Sequence, residues 1–298
     1  MSDGLRRFLF DQHPVRGFWL RLEETWTAAL EHQPYGPEVR TLLGQALAAA
    51  ALLAASLKFE GTLALQIQGD GPVRLLVAQS THEFGLRAVA RLEPDAKVEG
   101  LDFRALVGNA ALTVTQEGLD RSIAWQGVVP LTGDNLAHSL EAYFATSEQL
   151  PTRVVLAAGD RRVGGVLLQK LPASRGAGEA ELGREREVWD EAGLLLQTLS
   201  PDELLGDDPE QLLPRVFTGH DVRLFESQPI RFECRCSVQR VSSVLRSLGE
   251  DEVRSVLAEQ GAVTVTCEFC QRPYRFDAVD VEQLFQHDPA TPGSDALN

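Results

Sequence analysis

Between Thr62 and Gln68 the sequence TLALQIQ alternates, with Leu63, Leu65 and Ile67 on one side. That period of two is the mark of a strand with one buried face. GDGP (69–72) reads as a turn and VRLLVAQ (73–79) as a returning partner, so the stretch predicts a hairpin. Further strands are predicted at 84–91, 111–117, 122–130 and 163–169. Helical periodicity predicts helices at 18–32, 38–57 and 134–147, the last opened by Asp134 as an N-cap. The expected fold class is α+β: an N-terminal mixed domain with antiparallel sheets, a helical linker and a small C-terminal module.

The most apolar run, LLGQALAAAALLAASL (42–57), covers 16 alanine-rich residues. That is short for a bilayer span and predicts a buried helix. The start, MSDGLRRFLFDQHPVRGFWL, lacks the uninterrupted apolar stretch of a secretory signal. A soluble, cytoplasmic protein is expected, with no membrane partner.

Beyond residue 173 the pattern changes. Residues 176–210 carry eleven carboxylates against two arginines, a net of −9 within a chain total of −15. Trp189, Ala192, Leu196 and Leu199 still recur on one helical face. SPDE (200–203) has a Ser N-cap, a first-turn Pro and a Glu to close a capping box, and DPEQ (208–211) repeats the arrangement. Short acidic helices of this kind are marginal alone, so this segment reads either as a permanently docked linker or as one that can let go. The expected division is 1–175 for the core domain, 176–230 for the linker and 231–298 for the last module.

The charge of −15 opposes binding to nucleic acid or anionic membranes. HExxH, GxSxG and Walker patterns are missing from the sequence, and the GDGP glycines are not followed by the Lys-Ser/Thr of a phosphate loop. The histidines at 13, 32, 82, 138, 220 and 287 have no mutual metal spacing. An enzyme is not expected.

The candidate chemistry lies in four cysteines, Cys234-x-Cys236 and Cys267-x2-Cys270, with 30 residues between the pairs. Two tight pairs brought together by a folded insert suit a tetrahedral thiolate site, and zinc fits it better than an iron–sulfur cluster. The insert predicts two helices broken near Gly249 and ended by Gly261, then a strand at 262–266. A strand with Tyr274 and Phe276 and a last helix follow. A structural zinc ribbon is the plainest reading. A nucleic-acid ribbon is disfavoured, because residues 231–285 carry seven basic and nine acidic side chains. A thioredoxin-like site is disfavoured, because Cys267–Cys270 lies between two strands. Thiolates are also what oxidants attack, so the same site offers a switch: oxidation to disulfides would remove the ligands and the folding energy of the metal.

VRG (15–17), LKFEGTLALQIQGDGP (57–72), YFATSEQLPT (143–152), LLQKLP (167–172), the two cysteine pairs and YRFD (274–277) give the chain a close resemblance to a known family. It resembles the bacterial redox-regulated holdase chaperones, the 33 kDa heat-shock chaperonins, over nearly its whole length. The resemblance implies an ATP-independent stress-response chaperone, inactive while Cys234, Cys236, Cys267 and Cys270 hold one Zn²⁺ per chain. It implies disulfides Cys234–Cys236 and Cys267–Cys270 on oxidation, with zinc release and linker unfolding. It also implies binding of unfolding client proteins, a homodimer when oxidised, and transfer of clients to ATP-dependent foldases. Client contacts are expected on the first domain and on the linker face at Trp189, Leu196 and Leu199. Two departures stand out: Gln271 follows the second pair where the family often has Gly, and GNAAL (108–112) replaces a more glycine-rich turn. The alternatives are a constitutive zinc-stabilised interaction protein and a thiol–disulfide oxidoreductase.

Overall fold

The computed structural model describes residues 3–120, 122–172 and 178–286. The chain divides into two compact units, one running to Glu233 and one starting at Cys234. The first unit begins with β1 (Gly4–Phe10), β2 (Val15–Leu22), α1 (Glu24–Leu30) and α2 (Pro37–Ser56). A β-meander follows: β3 (Thr62–Gly69), β4 (Val73–Thr81) and β5 (Gly85–Leu92). Next come α3 (Phe103–Val107), β6 (Ala110–Glu117), β7 (Ile123–Pro130) and α4 (Leu136–Tyr143). A π-helical turn at Phe144–Glu148 leads into β8 (Thr152–Ala158) and β9 (Val163–Lys170). The acidic segment supplies α5 (Glu179–Gln197), α6 (Pro201–Gly206), α7 (Pro209–Val216) and β10 (Val222–Pro229), and β11 (Arg231–Phe232) closes the unit.

Two sheets result, with strand orders β10-β1-β2-β9-β8 and β11-β5-β4-β3-β6-β7. Every pairing is antiparallel except that of the two-residue β11 with β5. The predicted hairpin forms with Leu63 opposite Ser80 and Ile67 opposite Leu76. Its turn docks on the second glycine-containing turn, where the Asp70 carboxylate accepts from the Asn109 amide N–H at 2.7 Å and from Asn109 Nδ2 at 3.0 Å. Gly108 has φ 65°, and a Cβ there would meet Asp70 Oδ1 at 2.1 Å, so this corner needs glycine.

α2 is the core helix, and its Leu43, Leu47 and Leu52 are fully buried in a cluster drawing on both sheets. Among the described residues it is the helix long and apolar enough to cross a membrane, yet 78% of its apolar window is buried inside the protein. It agrees with the helix expected at 38–57 to within one residue at each end, starting at Pro37 behind Gly36.

Three predicted elements differ. The helix expected at 18–32 is strand to Leu22, where β2 pairs with both β1 and β9, and helix only from Glu24. The helix expected at 134–147 starts at Leu136, capped by Asn135 rather than Asp134; the Asn135 side chain accepts from the His138 N–H at 2.8 Å. The acidic segment is not uniformly short helices, since α5 has 19 residues and the segment ends in a strand.

β9 is buried on both faces, and two adjacent glycines make that possible. A Cβ on Gly165 would meet Leu52 Cδ1 of α2 at 2.8 Å, whereas one on Gly164 would meet Leu204 Cγ of α6 at 2.9 Å. Each glycine lets a helix approach from its own side. On the outer side Phe8, Phe10, Trp19, Val166 and Leu168 form a second apolar cluster with Trp189, Ala192, Leu196, Leu204, Leu212 and Phe217. Trp189, Ala192 and Leu196 form the predicted helical face, Leu199 follows the end of α5, and all four cover the five-stranded sheet. Phe217 packs against Phe8 and Phe10 with ring centroids 5.7 and 5.1 Å away, tilted on the first and edge-on to the second.

The ends of this cover are well made. Ser200 and Glu203 complete the predicted capping box. Asp208 has the N-cap position of α7, but its carboxylate is taken by Arg21 at 3.3 Å instead of the helix N–H groups. Arg6 of β1 pairs with Glu210 of α7. Polar atoms caught in the seam are less well served: Trp19 Nε1 and Glu185 Oε2 are buried with no hydrogen-bond partner among the described residues. Each such group costs about 1–3 kcal/mol, so the cover is held by apolar contact and opposed by desolvation.

Candidate metal centre

The second unit starts at Cys234 and contains α8 (Val238–Leu248), α9 (Glu250–Gln260), β12 (Val263–Thr266), β13 (Pro273–Phe276) and α10 (Ala278–Gln286). The predicted helix break is at Gly249 and the predicted stop at Gly261, both with positive φ. Its apolar core is small: Val241, Leu245, Val253, Val263, Tyr274, Phe276, Val281 and Leu284, with Cys236 and Cys267 packed beside them.

Cys234 and Cys236 lie in an extended stretch that ends at Ser237, whose side chain accepts from the Arg240 N–H at 3.2 Å and starts α8. Cys267 and Cys270 occupy the tight turn between β12 and β13, which pair antiparallel. The Gln271 N–H donates to the Cys267 carbonyl at 2.8 Å, and the Cys267 N–H donates to the Arg272 carbonyl at 3.0 Å. Closing this turn puts Gln271 at φ 54°, the left-handed conformation that the sequence comparison with glycine anticipated.

The four sulfurs converge. Cys234 and Cys267 Sγ are 3.6 Å apart, Cys236 and Cys270 Sγ are 3.5 Å apart, and all four lie within 4.8 Å of one another. All four are free and half-buried. A tetrahedral ion with metal–sulfur bonds of about 2.3 Å needs sulfurs about 3.8 Å apart, so the set fits a thiolate-bound metal ion. Among the described residues no histidine joins it or any other such cluster. His13 and His220, distant in sequence, meet edge to face with ring centroids 6.1 Å apart, while His287 lies outside the described residues.

The electrostatics suit a site that waits for a cation. Burial and neighbouring sulfurs push the Cys234 thiol up to about 12, and burial likewise raises Cys270. Burial acts the same way on Cys236, but the Tyr274 hydroxyl and the adjoining sulfurs outweigh it and bring that thiol down to about 7. One sulfur ionises readily and its neighbours then resist, which is the behaviour of crowded thiols that a divalent cation relieves. Tyr274 Oη is 3.0 Å from Cys236 Sγ. Sequence reading placed Tyr274 on a strand without giving it a part in the site; its position four residues after Cys270, on the buried face with Phe276, was the available signal.

The family model described as Hsp33 protein matches residues 3–277. The chain is 40% identical to the 33 kDa chaperonin of Methylobacillus flagellatus over 99% of its own length and 98% of the relative's. It is 43% identical to that of Pseudomonas paraeruginosa, covering 95% of each chain. The crystal structure of the 33 kDa chaperonin from Thermotoga maritima superposes with a TM-score of 0.80 at 24% identity, over 95% of this chain and 98% of that one, and so shares the fold. With a family model spanning both units and relatives of this likeness along nearly the whole length, the chain belongs to the Hsp33 family of chaperones.

Proposed function

We propose that this chain is a redox-controlled, ATP-independent holdase of the cytoplasm that binds unfolding proteins and prevents their aggregation, acting by binding and not by turnover. The observation that carries the reading is the convergence of four free cysteine sulfurs within 4.8 Å in a unit with so small a core. Zinc, when bound there, keeps the sulfurs deprotonated and cross-links the two cysteine turns. In the reduced state Cys234, Cys236, Cys267 and Cys270 hold one ion per chain. Oxidation of Cys234 with Cys236, and of Cys267 with Cys270, withdraws two electrons per pair and consumes the donor set. A unit that relied on the cross-link then loses its folding energy.

The functional partition follows as 1–175, 176–230 and 231–298. The segment 176–230 acts as a releasable cover, and two features support that role: its buried, unpartnered polar atoms and its net negative charge, which keeps an opened segment soluble. Release would expose Trp189, Leu196 and Leu199, now 7%, 1% and 6% exposed, together with the sheet face beneath them. These surfaces are proposed to take clients, in a homodimeric oxidised form that hands them to ATP-dependent foldases.

The test is suppression of aggregation of a heat-unfolding client by the reduced, zinc-loaded protein before and after mild peroxide, with released zinc followed in the same sample. Protection that appears with about one zinc per chain is the expected result. Zinc release without protection would overturn the switch and leave a structural metal in a constitutive binding protein. Catalytic turnover of a dithiol would instead favour an oxidoreductase.

A further inference from the structure

Tyr274 reaches across the centre. It follows the second cysteine turn on β13, yet its hydroxyl touches Cys236 of the first at 3.0 Å. The direction of this contact is fixed by its chemistry: the phenol carries a hydrogen to donate, and it points to the sulfur. A metal-bound thiolate has no proton and can only accept, so the contact is an O–H···S⁻ bond. The Tyr274 ring is buried with Phe276 and Val281, which shields the bond from water.

We propose that Tyr274 is a positioning residue that damps the nucleophilicity of Cys236 and ties the two cysteine turns together through a hydrogen bond to its thiolate. The inference rests on the metal reading above. A thiolate that accepts a hydrogen bond shares its lone pair and attacks electrophiles more slowly, just as a less basic thiolate does. Cys270 is in the same cluster, its Sγ 3.5 Å from that of Cys236, the sulfur to which the Tyr274 hydroxyl donates. It is the internal reference.

The experiment uses the full-length, reduced, zinc-loaded protein and iodoacetamide, in which each thiolate displaces iodide to form a thioether. Modification of each cysteine is followed by mass spectrometry, with zinc content measured at the start. In Tyr274→Phe the ring stays and the donor goes, so Cys236 should react roughly 3- to 10-fold faster relative to Cys270. Site-specific 3-fluorotyrosine at 274, a stronger donor of nearly the same size, should slow Cys236 further. A residue that merely fills the core would not give opposite signs. Unchanged Cys236 reactivity with one zinc bound, or an equal rise at all four cysteines, would overturn the role of Tyr274 and leave the metal reading intact. An unaltered chain that takes up no zinc would overturn both.

Discussion

Replacing Gly164 with valine separates the cover from the core it lies on. A Cβ at this position would sit 2.9 Å from Leu204 Cγ and 3.2 Å from the Leu204 carbonyl oxygen, and valine adds two more carbons in the same direction. β9 itself tolerates the change, since a β-branched residue suits a strand. The strain falls on α6, which must move away. Overpacking of this kind costs about 1–3 kcal/mol, enough to shift the docked-to-released equilibrium roughly 5- to 150-fold. Hydrogen exchange in the reduced protein reads the effect directly: amides of α5–α7 should exchange faster while those of β3 and β4 keep their protection. Dye binding to newly exposed apolar surface should rise without oxidant. Gly165→Val is the control one residue away. Its Cβ would face Leu52 of α2 and Leu156 of β8 at 2.8 and 3.2 Å, inside the main core. It should lower the melting temperature of the whole first unit. Unchanged exchange in α5–α7 for Gly164→Val, or a global loss equal to that of Gly165→Val, would refute the division into cover and core.

Zinc affinity should depend steeply on pH. Cys234 and Cys270 have raised thiol values and enter neutral solution protonated, so binding there releases at least two protons and the apparent affinity should rise by about 100-fold or more per pH unit. Below the Cys236 value of about 7 a further proton is released on binding and the slope steepens; competition with a chelator across about pH 6–8.5 measures it, and a slope near zero would contradict the clustered-thiol picture. Gln271→Gly should relieve a left-handed conformation that costs a side-chain-bearing residue about 1–2 kcal/mol. The expected result is a higher melting temperature of the zinc-loaded second unit and slower loss of metal to chelator.

The elements most legible in the sequence were those whose local chemistry and tertiary setting agree. The hairpin at 62–81, the core helix, the Ser200–Glu203 box and the helix break at Gly249 each carry their own signal, and the structure keeps them. The cysteine spacing likewise announced a convergent set, because tight pairs on turns need only one closure to meet. The first strands were hidden. In GLRRFLF and VRGFWLRL, arginines interrupt the alternation, and Phe18–Leu22 reads as helix until pairing with both β1 and β9 overrides it. β10 has the composition of a linker because its edge position needs little apolar character, with Phe225 and Arg7 meeting in a cation–π contact rather than in a core. The Asx cap at Asn135 was misplaced by one residue, a choice that depends on which side chain reaches the His138 N–H. Tyr274 escaped notice because its partner is 38 residues away.

The helical part of the cover, α5–α7, is tied to the five-stranded sheet at both ends. It leaves β9 after Lys170 and returns as β10, which is laddered to β1 from Val222 to Pro229. A segment leashed in this way does not diffuse off when it opens. It remains a rival for the surface it vacated, at an effective concentration of order millimolar whatever the protein concentration. On the proposed reading a client would have to outcompete that rival to stay bound, so segments with weak apolar character would be rejected and strongly apolar ones retained. The same leash would make reclosure unimolecular, so that displacement of a client would need no collision with another molecule.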